Sequence, residues 1–242
     1  MASIFSKQKK EKTTSLHLKI DLHNHILPGI DDGAQDIDES LEMLEAYQAQ
    51  GFTKIIATPH VNSERFLNST DDILEATEIF LEAKEKENIP IQIAVSAEYY
   101  ADKHLFYLLE KNDVLSIANK YLLCEFSFYF PPIDAKLIAN EIKNAGYIPI
   151  LAHPERYEYW FNDIKAFEKL KEYGFLFQSN LPSASGLLGP IPKHNFYLLA
   201  NKGWIDFLGT DAHNAFSIYL MQNIIELNIV QKTLPRILNY YL

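Results

Sequence analysis

Sulfur and arginine are nearly missing from this sequence. Its 242 residues include one cysteine, Cys124, and three arginines, Arg65, Arg156 and Arg236. A single cysteine cannot form an internal disulfide, so a cytoplasmic setting is expected. Nor does Cys124 suit a thiolate nucleophile backed by an anion-binding arginine six residues on, because Phe130 stands at that offset. No Gly-x-Gly-x-x-Gly turn and no Gly-x-Ser-x-Gly elbow occurs, which argues against dinucleotide binding and against a serine hydrolase. A formal net charge of −10 leaves no basic stripe for nucleic acid. No apolar run reaches membrane-spanning length, so stable membrane insertion is not expected. The opening "MASIFSKQKKEKTT" has lysines without the apolar stretch of a secretory signal. A flexible tail over residues 1–15 and a single domain over 16–242 are expected.

What is present is a regular alternation of strand and helix patterns. Leu16, Leu18, Ile20 and Leu22 alternate with polar residues, the period of a strand. Asp36 and Glu39 open a helix with a capping-box pattern that stops at Gly51. "TKIIATPH", "IQIAVSAE", "YLLCEFSF", "YIPILAH", "FLFQSN" and "WIDFLGTDAH" read as further strands. Helical patterns follow near residues 70–90, 137–145, 164–172 and 193–201, and again after Ile218. "LPSASGLLGP" reads as a flexible loop that could border a site. Some seven βα units predict an α/β fold, a distorted (β/α)7 TIM-like barrel, with an open doubly wound sheet as the alternative.

Function in a parallel barrel sits at the C-terminal strand ends. Those ends carry His23 and His25, His60, Glu98, Glu125, His153, and then Asp211 with His213. His23 and His25 share one strand face, as do Asp211 and His213. Eight oxygen and nitrogen donors without a thiolate suit two or three divalent ions sharing carboxylates, with manganese, iron or zinc admissible. Each residue alone is more often a hydrogen-bonded loop residue or a solvated charge than a ligand. Their collection at one end of one barrel favours metal.

The segments "DLHNHILPGIDDGA", "TPH", "SAEYY", "CEFSF", "LAHPERY" and "GTDAH" resemble, in order, the motifs of the polymerase-and-histidinol-phosphatase (PHP) superfamily. They are most similar to its branch of bacterial manganese-dependent protein-tyrosine phosphatases linked to capsule and exopolysaccharide synthesis. The resemblance implies a seven-stranded barrel with two or three metal ions, manganese being the expected one. It groups His23 and His25 with Glu125 and Asp211, and makes His60, Glu98, His153 and His213 the remaining ligands. It makes Arg156 a phosphate contact, with Arg65 a second candidate for substrate binding. It puts aspartates where the superfamily often has a further histidine, so Asp32 is the candidate general acid or site-organising residue, with Asp31 the alternative. The implied partner is a phosphotyrosine protein, a bacterial tyrosine kinase.

The expected reaction is hydrolysis of phosphotyrosine by a metal-activated hydroxide. The cations would also offset the protein's negative charge near an anionic substrate. A leaving phenolate, with a pKa near 10, needs less protonation than an alkoxide. Arg156 could instead pair with Glu155 or Glu158. The aromatic "FSFYFPPID" could grip a tyrosine ring or simply pack under the next helix. Histidinol phosphate or another small phosphomonoester is the rival substrate, and a non-catalytic regulatory module the rival class.

Overall fold

The computed structural model describes residues 17–242, and the tail expected over 1–15 lies outside them. In chain order the elements are β1 (Ile20–Asp21), α1 (Ile37–Ala49), β2 (Lys54–Ala57), β3 (His60–Val61), α2 (Thr70–Glu87), β4 (Gln92–Val95) and β5 (Glu98–Tyr100). They continue with α3 (Lys103–Lys111), β6 (Tyr121–Glu125), α4 (Ala135–Asn144), β7 (Ile148–Ala152), α5 (Ile164–Glu172) and β8 (Leu176–Asn180). The last are α6 (Leu181–Ser185), α7 (Pro190–Lys202), β9 (Phe207–Gly209), α8 (Ala215–Tyr219), α9 (Met221–Ile225) and α10 (Asn228–Thr233).

All strand pairs are parallel, in the orders β1-β2-β4 and β3-β5-β6-β7-β8-β9. The two expected strands "TKIIATPH" and "IQIAVSAE" are each broken in the middle, giving β2/β3 and β4/β5. Pro59, which has no N–H to give, lies in the first break, and the peptides of Ser96 and Glu98 bond across both breaks to Ala57 O and Pro59 O. Seven strand positions therefore form one curled parallel sheet. Its ends meet at a seam where Asn24 bridges Ala212, His25 N donates to Ala212 O and Asp211 N to His23 O. The barrel expectation holds, with less regular strands than the sequence pattern implied.

Side chains alternate between two cores. Inside the ring lie Leu22, Ile56, Tyr121, Leu123, Ile150, Ala152 and Phe207, packed with Ile117. Between sheet and helices lie Ile55, Leu122, Cys124, Leu151, Phe177 and Leu208 with residues such as Met43, Phe80, Phe167 and Phe196. Burial of one such side chain contributes about 1.5–3 kcal/mol. The period of two then determines what ends each inner row. Ile56 leads to Thr58 and His60, Leu123 leads to Glu125, and Phe207 leads through Gly209 to Asp211.

Helix starts are set by side-chain caps. Ser69 and Asp72 form a complete capping box on α2. At α1, Asp36 accepts from Glu39 N, but the Glu39 carboxylate takes Gln35 N, so only half of the expected box forms. α3, absent from the sequence pattern, is capped by Asp102, which accepts from His104 N and Leu105 N. The stretch expected as a loop begins instead as α6, with Pro182 in the first turn where a missing N–H does no harm.

Two glycines allow chain to pass against chain beside the histidine strand. A Cβ on Gly33 would lie 2.0 Å from His25 O, and one on Gly209 would lie 2.7 Å from His23 Cβ and 2.9 Å from Gln178 Nε2. Gly209→Ala should therefore cost about 2 kcal/mol through overpacking, or roughly 5 °C in Tm. Thermal unfolding followed by circular dichroism measures this, and an unchanged Tm would mean that the seam can relax freely.

Candidate active site

The seam brings the His-x-His segment against the end of β9. His23 Nε2 lies 3.2 Å from Glu98 Oε2 and 3.5 Å from Asp211 Oδ1, and His25 Nε2 lies 3.6 Å and 3.3 Å from the same two atoms. These are not hydrogen bonds in the ordinary sense. His25 Nδ1 faces Asp31 Oδ2 at 2.7 Å, and a carboxylate can only accept, so Nδ1 carries a proton and Nε2 is the nitrogen left to bind a cation once its own proton is lost. His23 Nδ1 faces Gln178 Oε1 at 2.7 Å. Gln178 is oriented in turn, because its Oε1 also accepts from His153 N and its Nε2 donates to Asn180 Oδ1. His213 repeats the pattern, with Nδ1 donating to Asp211 O at 3.0 Å.

The result is Nε2 atoms turned toward carboxylates, held there by partners on Nδ1. Among buried side-chain atoms without a hydrogen-bond partner are His23 Nε2, His25 Nε2, Glu98 Oε2 and His153 Nδ1. Buried polar atoms are rarely left so unless something else completes them. Donors of this type within 4.8 Å of one another form four overlapping groups: His23 with His25 and Asp211; His23 with Glu98 and His153; His60 with Glu98 and Glu125; and His25 with Asp32, His60 and His213. The donor set, imidazole and carboxylate without thiolate, suits a hard or borderline divalent cation. All eight residues singled out from the sequence are thus drawn together. Glu125 does not sit with His23 and His25, because β6 pairs with β5 and carries it beside Tyr100 toward His60 and Glu98. The other described histidines, His17, His104 and His194, belong to none of these groups.

Proton affinities reflect the crowding. Burial alone would lower His23, but Glu98 and Asp211 push it up to about 9. Burial would raise Glu98 and Asp211, yet His23 beside both, helped by His60 for Glu98 and by Arg156 for Asp211, holds them well below the carboxylate range. Glu125 goes the other way, pushed up by burial and by the charges of Glu98 and Asp211. Burial takes His153 down to about 4. Asp32, half-exposed at the mouth, is held at about 2, chiefly by His213, whose Nε2 lies 3.5 Å from its Oδ1.

Support continues below the cluster. Asp21 is fully buried and accepts from Tyr47 Oη at 2.6 Å, Thr210 Oγ1 at 2.6 Å and Thr210 N at 2.9 Å, tying α1 to the seam. Glu155 points inward to Asn180 N and Ser183 Oγ, and burial pushes it up to about 6. Arg156 therefore does not pair with Glu155. Its Nη1 lies 2.5 Å from Asp211 Oδ2, and its guanidinium sits 4.6 Å from the centre of the Phe128 ring. Arg65 is 68% exposed at the rim, 3.7 Å from Asp32 Oδ2 and stacked over Phe66. His153 and Asp211 both adopt left-handed backbone, φ 34° and 53°, a strain common at functional sites. Gln178 and Tyr47 were not singled out from the sequence. For Gln178 a signal existed: it shares the strand parity of Asn180, at the C-terminal end of the strand.

The cluster forms the floor of a cavity of about 530 Å³ whose walls include Phe66, Tyr100, Phe128, Tyr129 and Phe130. No helix among the described residues is long and apolar enough to cross a membrane.

Known proteins resemble this chain in both sequence and structure. Tyrosine-protein phosphatase YwqE of Bacillus subtilis (strain 168) is 35% identical over 196 residues, 81% of this chain and 77% of the relative. Tyrosine-protein phosphatase CpsB of Streptococcus pneumoniae is 31% identical over 165 residues, 66% of this chain and 67% of the relative. A crystal structure from work on YwqE of B. subtilis and CpsB of S. pneumoniae, described as metal-dependent tyrosine phosphatases, has a TM-score of 0.81 at 32% identity, covering 91% of this chain and 90% of that one. A histidinol phosphate phosphatase of Lactococcus lactis shares the fold alone, with a TM-score of 0.57 at 14% identity, covering 86% of this chain and 92% of that one. The model of the capsular polysaccharide synthesis family CpsB/CapC matches residues 19–219, and the chain belongs to that family.

Proposed function

We propose that this protein hydrolyses phosphotyrosine on proteins in capsule or exopolysaccharide synthesis, a bacterial tyrosine kinase being the substrate. The observation that carries the reading is the convergence of oriented imidazole nitrogens and buried carboxylates beneath an aromatic-walled cavity with Arg156 in it. His23, His25, His60, Glu98, Glu125, His153, Asp211 and His213 would hold two or three divalent cations, manganese first and iron or zinc as alternatives. Bound there, the cations would supply Lewis acidity and an activated water.

The chain's own residues do the rest. Arg156 presents a fork that matches two phosphate oxygens, and its stacking on Phe128 fixes the plane of that fork. Phe66 and Phe128 line the cavity that would receive the phenyl group of the substrate. In our reading Asp32, ionised at neutral pH, serves as a fourth donor beside His25, His60 and His213 rather than as a proton donor. The phenolate leaving group makes a strong acid unnecessary. Arg65 guides the approaching phosphate from the rim and makes no fixed contact with it.

The test is an assay of p-nitrophenyl phosphate, a phosphotyrosine peptide and histidinol phosphate after treatment with EDTA, with manganese, zinc or no metal returned. Activity should vanish with EDTA, return with metal and favour the peptide. His23→Ala should lose more than the roughly 10–100-fold typical of residues that only support a ligand. Protein that binds metal normally yet leaves both tyrosine-type substrates intact would overturn the reading, and faster turnover of histidinol phosphate would replace it. Arg156→Lys should lower kcat/KM by about tenfold or more, because an ammonium cannot make two parallel bonds to phosphate.

Metal retention should depend on pH with a definite sign. His23 must give up a proton held to about 9 before Nε2 can bind a cation, so acid competes with metal and alkali favours it. Metal content after dialysis should therefore fall between pH 9 and pH 6. An affinity, measured by competition with a chelator, that stays constant over that range would mean that no proton is displaced from the ligands on binding.

A further inference from the structure

A second cavity, of about 310 Å³, opens on the far side of Arg156, and the two cavities share Arg156, Asp211 and His213 as a common wall. Its outer wall is apolar: Leu187 and Leu188 follow α6, and Phe216 and Leu220 come from α8 and its end. Leu187 is 57% exposed, Leu188 39% and Phe216 72%, so these side chains contribute little to the core. Gly186 and Gly189, both at positive φ, bracket the two leucines in a turn that presents them outward. A contiguous apolar face beside a charged pocket is characteristic of a recognition surface. Apart from the shared wall, its lining includes no ionisable side chain, so a charged group seated there would find no partner of its own.

We propose that this groove is a subsite receiving a bulky apolar side chain close in sequence to the phosphotyrosine of a peptide substrate, an inference that rests on the function proposed above. Arg156 is the divider. Its guanidinium meets Phe128 in the reaction cavity, and the same side chain lines the groove. Consecutive Cα atoms are 3.8 Å apart, so a peptide with its phosphate at Arg156 must carry a residue one or two positions away past this divider. The groove adjoins the reaction cavity at that place, with Arg156, Asp211 and His213 lining both. Preference is therefore expected on one flank of the phosphotyrosine only.

The experiment compares kcat and KM for phosphotyrosine peptides that differ by Leu or Ala at single positions within two residues of the phosphotyrosine, with p-nitrophenyl phosphate as the substrate that has no flanks. At one position Leu should be favoured by roughly tenfold in kcat/KM, mostly through KM, as a hydrophobic pocket discriminates. Phe216→Ala and Leu188→Ala should each shrink that preference to below about twofold while leaving p-nitrophenyl phosphate turnover within about twofold. Turnover of all substrates with no flank preference in the unaltered protein would overturn this inference alone. So would a preference that survives both substitutions, or equal losses on every substrate. If Phe216→Ala changes only the sedimentation behaviour, the groove joins copies of the chain and the inference fails. No turnover of any phosphate ester would overturn it together with the proposed function.

Discussion

The protonated Nδ1 of two imidazoles is the constraint on which the rest of the site depends. Asp31 and Gln178 accept those protons from His25 and His23, and each acceptance turns Nε2 toward Glu98 and Asp211. With the rings turned over, the same residues would form ordinary hydrogen bonds and the centre would lose its affinity for a cation. Asp31 does more than orient one ring, because it also accepts from Gly33 N and His60 N and so fixes the loop and the start of β3. Gln178 similarly joins His23, the backbone of His153 and Asn180, and Asn180 reaches Asp211. Few side chains therefore set the positions of donors drawn from four strand ends.

That arrangement is costly for folding. Placing Glu98, Glu125 and Asp211 together in a buried space opposes their charges, and the protein responds by keeping Glu125 prone to protonation and His23 prone to hold a proton. Packing elsewhere offsets the cost. The inner core beneath the site and the larger core outside it are both apolar and closely filled, while Asp21 binds α1 to the seam through Tyr47 and Thr210. The strained backbone at His153 and Asp211 belongs to the same balance.

Much of the fold was legible because period two and period 3.6 repeat along the chain, and the C-terminal strand ends of a parallel barrel are where donor residues collect. The exceptions have local causes. The alternation from Leu16 to Leu22 suggested a long first strand, but among the described residues only Ile20–Asp21 enters the ladder, since from Asp21 to Leu27 the chain is buried on every side and alternation means nothing there. α3 was missed because its pattern follows β5 at once, with Asp102 as the only punctuation. α6 read as a loop because Pro and Ser cluster at its start, although a first turn accepts both. At the site, residue types revealed the donors, but not their grouping. Glu125 lies with His60 because of strand register, which no motif states. Gln178 and Tyr47 act through partners more than a hundred residues away in sequence, a relation visible only once the chain is folded.

The seam has a consequence for how the protein comes into being. His23 and His25 lie near the start of the chain, Asp211 and His213 near its end, and the sheet closes only where these segments meet. Contacts of such long sequence separation form late and slowly. During synthesis, which proceeds from the N-terminus, the first two imidazoles must wait for almost the whole chain to emerge before Asp211, the second carboxylate facing them both, exists. A ribosome-bound fragment ending anywhere before residue 211 can build helices and strand pairs, but it has no complete centre. The chemistry arrives as one of the last events in the making of the molecule, which keeps a half-built hydrolase from acting.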